Sequence, residues 1–366
     1  MARQAYQYAI IGGGIIGLST AYALQLRHPK STICVIEAGP ECGFGASWAN
    51  GSMIHPSQAT PWRDSHAPAT DPALVRDIYQ LAVRSSAILR ARFNEFDIAP
   101  RHRREGCAKI YTDVSTLQTD QAKLQVLMAL GLPTEFIDSS QIEKRLNISA
   151  DGAVGAYIFP NDHSGPARLY CRHLAARLAA GGAKLMTANG AANIEGQDIM
   201  LQSGAIVAAQ NIIVAAGSGS AALVNIAGQH AVRGYSRTFE LPGHEPDFPV
   251  MPVMDDAAHM AIAPMGTHLR VSGGADPEPM NSPHHLDRHV IYDALEAYLR
   301  QRCPGLPLDN APKSDWTALR PMSDQGPVIA CLRDGLFVNT GHGHMGWTLS
   351  AGAADRIVDI INGAAA

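Results

Sequence analysis

A glycine-rich hexapeptide directly after a short apolar run is the feature that most constrains the fold of this chain. Residues 8–11 are Tyr-Ala-Ile-Ile, which predicts a buried strand, and residues 12–17 are Gly-Gly-Gly-Ile-Ile-Gly. Residues 18–27 carry apolar side chains at helical spacing, and residues 33–36 predict a second strand that ends at Glu37. The order strand, GxGxxG, helix, strand and acid is typical of a βαβ unit that binds a dinucleotide.

The glycines of this unit have separate roles in such a site. Gly12 permits a tight turn, Gly14 lets the backbone approach a pyrophosphate, and Gly17 lets the helix pack against the sheet. The first turn of the helix, at Ile15 and Ile16, then presents free N–H groups to the phosphates.

The acid at the end of the second strand indicates which dinucleotide is bound. Glu37 lies 20 residues after Gly17 and is followed by Ala38. This is the spacing expected for a carboxylate that accepts a hydrogen bond from a ribose hydroxyl. Because a carboxylate repels a 2′-phosphate, NADP is disfavoured.

The remaining patterns predict how the chain is divided. Strands and helices alternate at both ends, and residues 230–273 form short apolar blocks between turns, which predicts an antiparallel sheet. We therefore expect an α/β fold in which a Rossmann-like domain is interleaved with a smaller β-rich domain of antiparallel strands and helices. The predicted ranges are 1–75, 142–226 and 308–366 for the first domain, and 76–141 and 227–307 for the second.

Composition excludes several classes of protein. A net charge of −4 over 366 residues gives no indication of nucleic-acid binding. The six cysteines form no CxxC pair, and neither they nor the His284–His285 pair indicate a metal site, so we expect isolated thiols in a reducing compartment. No apolar stretch reaches the ~20 residues of a transmembrane helix. We expect a cytoplasmic protein; attachment to the inner membrane surface stays open.

Four further sequence blocks accompany the glycine-rich unit. They are GASWANG at residues 45–51, FPNDHSG at 159–165, RGYS at 233–236 with LRVSGG at 269–274, and WTALRPM at 316–322 with NTGHGHMGWT at 339–348. Together the five blocks resemble the family of FAD-dependent D-amino acid oxidases and dehydrogenases, above all the bacterial D-amino acid dehydrogenase small subunits. The resemblance implies that the dinucleotide is non-covalently bound FAD.

The resemblance also implies which residues meet the cofactor in the middle of the chain. Ser47 and Asn50 would supply hydrogen bonds to the flavin, and Gly51 would let the backbone approach it. Ala191 matches the position whose backbone meets the adenine. Ala216 and Gly217 end a strand that packs near the cofactor.

A second cofactor segment precedes the last predicted helix. By analogy with the family, the loop of Gly343, His344, Met345 and Gly346 points its N–H groups at the N1–C2=O edge of the flavin. Thr348 would cap the helix or donate in the same turn. Fixed donors and a helix dipole at this edge stabilise the negative charge that reduction places there.

The resemblance assigns substrate binding to Arg320, whose guanidinium matches a carboxylate with two parallel hydrogen bonds. His55 and His344 are candidates for facing the flavin, and Tyr235 is a candidate for contacting flavin or substrate. The implied reaction is oxidative deamination of D-amino acids, or oxidation of a cyclic or N-alkyl amino acid such as proline or hydroxyproline. Hydride transfer to flavin N5 gives an imine and then a 2-oxo acid.

Several alternatives remain open at this stage. The chain could be an oxygen-dependent oxidase of the glycine or sarcosine type, a non-catalytic flavin-binding subunit of an electron-transfer complex, or an NAD-dependent dehydrogenase. The electron acceptor is a quinone, an electron-transfer protein or oxygen. The sequence leaves open whether the protein forms a homo-oligomer or needs a partner subunit.

Overall fold

The computed structural model describes residues 4–60, 71–278 and 288–363. Residues 63–70 and the His284–His285 pair lie outside these ranges. None of the helices within them has a stretch long and apolar enough to span a bilayer.

The strands of the described chain, in order, are β1 (Gln4–Ile11), β2 (Ile33–Ile36), β3 (Met53–Ile54), β4 (Cys107–Tyr111), β5 (Glu135–Asp138), β6 (Gly155–Phe159), β7 (His163–Ser164), β8 (Lys184–Met186), β9 (Ala191–Glu195), β10 (Asp198–Leu201), β11 (Ile206–Val214), β12 (Gln229–Glu240), β13 (Val253–Asp255), β14 (Met260–Met265), β15 (His268–Glu278), β16 (Lys313–Ser323), β17 (Val328–Arg333) and β18 (Leu336–Thr340). The α-helices are α1 (Ile15–Arg27), α2 (Pro72–Glu95), α3 (Val114–Ala129), α4 (Ser139–Leu146), α5 (Ala167–Ala180), α6 (Ser220–Leu223), α7 (Arg288–Arg302) and α8 (Gly346–Ile361).

The first sheet is mostly parallel and has the order β17-β18-β11-β1-β2-β8, with β10 and β9 continuing antiparallel from β11. Residues 8–11 of β1, all of β2 and residues 212–214 of β11 are apolar and buried, as expected for strands that are covered on both faces. Helices α1, α2, α5 and α8 contribute to one core cluster with this sheet. Since β1 pairs with β2 on one side and β11 on the other, the chain leaves β1 at a switch point in strand order.

Close packing at Gly12 and Gly17 joins helix α1 to this sheet. Gly12 has φ +110°, and a Cβ there would lie 2.3 Å from the Ala215 carbonyl oxygen. A Cβ on Gly17 would lie 1.8 Å from the Gly12 carbonyl oxygen. Both positions therefore require glycine, as the motif predicts.

The second sheet has the order β16-β12-β15-β14-β13-β4-β6-β5. Its long strands β12, β15 and β16 are antiparallel neighbours, and α4 and α7 contribute to the core cluster on this sheet. The antiparallel sheet expected over residues 230–273 is therefore present. The sheet is extended by β4 and β5, which lie in the range 76–141 proposed for the β-rich domain, and by β6 and β16, which lie outside both ranges proposed for it.

The strand pairing bears on the proposed domain ranges. Residues 155–159 and 313–323, which we expected in the cofactor domain, form strands β6 and β16 of the second sheet. We keep the interleaved division as a proposal and place these two strands in the β-rich unit.

Substitution of Gly17 tests the contact between α1 and the turn before it. Gly17→Ala places a methyl group against the Gly12 carbonyl and Ile10. We expect the free energy of unfolding to fall by roughly 1–3 kcal/mol, the usual cost of overpacking. Urea denaturation measures this, with Gly305→Ala as the matched control because a Cβ at Gly305 has no atom within 4 Å. Equal stability of the two variants would contradict the packing argument.

Candidate active site

One large cavity of about 1670 Å³ begins at the switch point of the first sheet and extends to the second sheet. Ligand pockets for a single small molecule are usually about 300–1,000 Å³. The volume therefore suits a ligand larger than one small substrate, with space for a second molecule.

Most of the predicted site residues line this cavity. Those on the wall are Gly12, Gly14, Ile15, Ile16, Glu37, Ala38, Ser47, Asn50, Gly51, His55, Ala191, Ala216, Gly217, Tyr235, Arg320, Gly343, His344 and Gly346. The other three predicted residues do not line this cavity. Gly17 packs on Gly12, Met345 belongs to a core cluster with Leu349, and Thr348 is fully buried.

Glu37 organises the end of the cavity next to β1 and β2. One of its carboxylate oxygens accepts a hydrogen bond from the Gly13 N–H (2.7 Å), and the other accepts one from the Gly39 N–H (2.6 Å). Each oxygen retains a second lone pair that can accept from a ligand hydroxyl. Glu37 thus holds the glycine-rich turn and keeps acceptor capacity for the predicted ribose contact.

The loop after β2 reaches the same helix N-terminus. The Ser47 hydroxyl accepts a hydrogen bond from the Ile15 N–H (3.0 Å), so it satisfies one of the open donors of α1. The Asn50 side-chain oxygen accepts a hydrogen bond from the Ser52 N–H (3.0 Å), and the Asn50 backbone carbonyl accepts one from the Arg270 guanidinium. These side chains fix the loop against the wall, and a direct contact with the cofactor stays a prediction.

Helix α8 begins at the cavity wall with a short 3₁₀ turn over Gly343–Met345. The residue at its N-cap, Met345, makes no side-chain hydrogen bond to the first turn. Thr348 accepts a hydrogen bond from the His55 N–H (3.1 Å), which ties the helix to the turn that carries His55. The positive end of the helix dipole therefore faces the cavity beside His55 and His344.

Arg320 lies at the wall where the second sheet meets the cavity. Its Nη1 donates to the Gly274 carbonyl (2.9 Å), and its guanidinium occupies the space that a Cβ on Gly234 would fill. It forms no salt bridge with any residue in the described ranges, and desolvation lowers its pKa. Next to it, the Tyr235 hydroxyl donates to Asp276 (2.7 Å), and Asp276 partly offsets that lowering.

His55 and His344 stack with their ring centroids 6.3 Å apart. Burial lowers the pKa of His55 to about 3 and also lowers the pKa of His344. Both imidazoles are therefore neutral at pH 7 and have acceptor nitrogens.

The structure adds three residues that sequence reasoning did not select. Asp162 is fully buried and accepts hydrogen bonds from the N–H and hydroxyl of Ser57 (3.2 and 2.6 Å), a cavity-wall residue. Burial raises the pKa of Asp162 to about 7. Asp162 stands in the FPNDHSG block, which was the available signal for it.

Lys109 and His342 were harder to select from the sequence than Asp162. Lys109 is buried at the cavity wall, in a strand that otherwise appears apolar. His342 is buried just before the α8 loop, and neither of its ring nitrogens has a hydrogen-bond partner among the described residues. Burial lowers the pKa of His342 to about 3, so this imidazole is neutral.

Comparisons with known proteins bear on the family and the fold of the chain. The sequence model of the DAO family, described as FAD dependent oxidoreductase, matches residues 7–360. A D-amino acid dehydrogenase of Methylobacterium radiotolerans is 28% identical over 97% of this chain and 96% of its own.

Two solved structures share the fold. Glycine oxidase from Geobacillus kaustophilus superposes with a TM-score of 0.82 at 21% identity, over 99% of this chain and 96% of its own. L-proline dehydrogenase from P. horikoshii gives a TM-score of 0.78 at 15% identity, over 100% of this chain and 95% of its own. This likeness confirms the predicted α/β fold with a Rossmann-like domain and a β-rich domain.

The buried Asp162 makes stability depend on pH. Its pKa is about 7 in the folded protein and ~4 in the unfolded chain, so the folded state binds the extra proton between these values. Its contribution to the free energy of unfolding is therefore present at low pH and is lost as the pH rises towards 7. Relative to Asp162→Asn, the wild type should lose ~3 kcal/mol between pH 5 and pH 8.

Urea denaturation across this pH range measures the difference. Asp113→Asn is the control, because Asp113 is a half-buried helix N-cap whose pKa is lowered to about 2, so that it does not titrate in this range. A wild-type-minus-D162N difference that stays constant with pH would refute the titration of Asp162.

Proposed function

The chain belongs to the DAO family of FAD-dependent oxidoreductases, and we propose that it oxidises the C–N bond at the α-carbon of an amino acid. The proposed substrate is a D-amino acid, or a cyclic or N-alkyl amino acid such as proline or hydroxyproline. A similar chain named D-amino acid dehydrogenase supports this choice.

The residues along the cavity fit FAD. The turn at Gly12 exposes backbone beside the start of α1, and Gly14 lies on the wall there, where a Cβ would be 3.5 Å from the Ser47 hydroxyl oxygen. Glu37 and the start of α8 both lie on the cavity wall. The predicted cavity-wall residues on these segments would hold the cofactor. When bound, FAD supplies the oxidant that removes a hydride from the substrate.

The observation that carries the proposal is the state of Arg320. A guanidinium that is desolvated at a cavity wall and has no salt bridge within the described ranges favours an anionic ligand. Gly234 and the Gly274 carbonyl fix its orientation, so part of the ordering cost is met before a ligand binds. A substrate α-carboxylate can complete this site with two parallel hydrogen bonds.

The neutral histidines can accept hydrogen bonds from the substrate amine. An amino acid at pH 7 carries an ammonium group, and its nitrogen lone pair becomes available only after that proton leaves. His344 and His55 line the same cavity and have acceptor nitrogens, but burial lowers the pKa of both and makes them weak bases, so their proposed role is to orient the amine through a hydrogen bond. The proposed role of Tyr235, held by Asp276, is to shape the wall beside Arg320.

The products follow from the chemistry of the substrate. Loss of a hydride and a proton from a primary amino acid leaves an imine, and water converts the imine to a 2-oxo acid and ammonia. A cyclic amino acid stops at the cyclic imine. An oxygen-dependent oxidase of the glycine or sarcosine type stays the second candidate, because a glycine oxidase shares the fold.

Removal of the Arg320 guanidinium tests the proposal. We expect Arg320→Ala to retain FAD but to lower kcat/KM by ~100-fold or more, since a buried charged pair is lost, and Arg320→Lys to recover only part of it. Anaerobic bleaching of the flavin by a panel of D-, L- and N-alkyl amino acids is the measurement. Arg76→Ala, an exposed arginine on α2, is the control.

Three outcomes separate the alternatives. A panel in which no amino acid reduces the flavin would reject the proposed reaction and favour a non-catalytic flavin-binding subunit. Unchanged turnover in R320A would reject the assignment of Arg320 alone. Peroxide formation at the rate of dye reduction would identify oxygen as the acceptor.

A further inference from the structure

Asp162 and Ser57 form a buried polar pair, one end of which reaches the cavity wall. Asp162 is fully buried between β6 and β7, and Ser57 lies in the turn that follows His55. The Ser57 hydroxyl donates to Oδ2 of Asp162 at 2.6 Å, and the Ser57 N–H donates to Oδ1 at 3.2 Å. Ser57 lines the cavity, whereas Asp162 lies behind it. The Ser57 hydroxyl therefore connects a buried carboxyl group with the space that holds ligands.

Burial and local contacts act in opposite directions on the Asp162 carboxyl group. Burial raises its pKa to about 7, although the hydrogen bonds from Ser57 and the charge of Arg90 both lower it. Arg90 on α2 is held beside Asp162 by a hydrogen bond to the carbonyl of Asn161 at 2.7 Å. Asp162 therefore exchanges its proton near neutral pH, the range in which a general base is most effective.

The other titratable groups around Asp162 keep their protonation states near pH 7. Burial, together with the charge of Asp162, raises the pKa of Tyr79 on α2 and of Cys107 on β4, so both stay protonated. Burial lowers the pKa of His163 on β7 to about 2, and both of its ring nitrogens are hydrogen-bonded to other side chains, at 2.8 and 2.7 Å. A change of protonation in this region near neutral pH therefore belongs to Asp162.

The turn that carries Ser57 lies beside residues that we assign to substrate binding. Gln58 Nε2 donates to Ser57 Oγ at 3.0 Å, and the Gln58 carbonyl oxygen lies 3.4 Å from Nε2 of His344. Burial and the charge of Arg320 both lower the pKa of His344, so His344 lies within electrostatic range of the guanidinium. All four residues line the cavity. The Ser57 hydroxyl thus belongs to the part of the wall that also carries His344 and Arg320.

We propose that Ser57 and Asp162 form a proton relay that removes a proton from the ammonium group of the substrate. The inference rests on the proposed function, in which Arg320 binds the α-carboxylate. Ser57 Oγ takes the proton from nitrogen, directly or through one water, while the hydroxyl proton of Ser57 passes to Oδ2 of Asp162. The electrons of the broken N–H bond stay on nitrogen as its lone pair, and the Asp162 carboxylate becomes a neutral carboxylic acid. No group is oxidised or reduced in this step.

The electrostatics of the wall favour Asp162 over the histidines as the final acceptor. Protonation of His344 would create a buried cation within range of Arg320, and protonation of His55 would create a buried cation as well. Protonation of Asp162 instead removes a buried anion, which is costly in a site without water. The imidazoles can therefore orient the amine while the proton leaves through Ser57.

The pH dependence of flavin bleaching at low substrate concentration, which measures kcat/KM, tests the relay. In the wild type, kcat/KM should fall about tenfold per pH unit below about pH 7 and stay level above it. In Asp162→Asn and Ser57→Ala only the free amine reacts, so kcat/KM should be ~100-fold lower at pH 7 and approach the wild-type value at high pH. The double variant should lose no more than either single variant, because the two residues act as a unit. Ser57→Thr, which keeps the hydroxyl, should recover most of the loss.

A change at Arg90 tests Asp162 without altering either residue of the relay. Arg90→Gln removes a charge that lowers the pKa of Asp162, so the midpoint of the kinetic profile should move upward by about half a pH unit. The infrared band of the protonated Asp162 carboxyl, identified by its absence in D162N, should titrate with the same midpoint and is independent of turnover. Arg84→Gln on the same helix is the matched control, because Arg84 pairs with Asp355 (3.1 Å), and it should leave both midpoints unchanged.

The outcomes separate the relay from the proposed function. Losses in D162N and S57A that are equal at pH 7 and at high pH would overturn the relay. Additive losses in the double variant, or a kinetic midpoint that departs from the infrared midpoint, would overturn it as well. In each of these cases the flavin is still bleached, so the proposed function stands. If no amino acid bleaches the flavin, the proposed function fails and the relay fails with it.

Discussion

The close contact of helix α1 with the turn that precedes it sets the geometry of the dinucleotide end of the cavity. Because Gly17 lies against the Gly12 carbonyl, the first turn of α1 has only one position relative to β1. That position lets Ser47 reach the Ile15 N–H and lets Glu37 reach the Gly13 N–H. Gly12 and Gly17 thus determine where the N-terminus of α1 and the Glu37 carboxylate lie on the cavity wall.

Buried polar contacts position the other end of the cavity. The FPNDHSG block contacts two cavity-forming segments: Trp347 at the start of α8 donates to the Gly165 carbonyl (3.1 Å), and Asp162 accepts from Ser57. Thr348 on α8 accepts a hydrogen bond from the His55 N–H, which joins α8 directly to the segment that carries His55 and Ser57. Since each of these groups is buried, loss of one partner would leave an unsatisfied polar atom, which costs about 1–3 kcal/mol. The wall around His55 and His344 is therefore held as a unit.

The sequence predicts those parts of the molecule that depend on local spacing. The βαβ unit follows from residues 8–37, and the limits of α1 lie within a few residues of the predicted ones. Arg320 and the α8 loop could be selected from the sequence because each lies in a contiguous motif. Lys109 was not, since it meets the cavity through the pairing of β4 with β13. Asp162 stands in a recognised block, but its role depends on a buried contact with Ser57, which lies 105 residues away along the chain. No periodicity along the chain reports such pairing.

The electrostatics of the cavity explain how the fold accommodates Arg320 at a cost in the stability of the ligand-free protein. A guanidinium that is partly removed from water and forms no salt bridge with a described residue is unfavourable, so its presence lowers the stability of the ligand-free protein. The fold limits this cost through the Gly274 carbonyl, which accepts a hydrogen bond from Arg320, and through the charge of Asp276, whose carboxylate accepts a hydrogen bond from Tyr235. Had Asp276 formed a salt bridge with Arg320, an α-carboxylate would have to displace an internal partner. Because Asp276 acts on Arg320 through its charge alone, the guanidinium keeps hydrogen-bonding groups for the ligand.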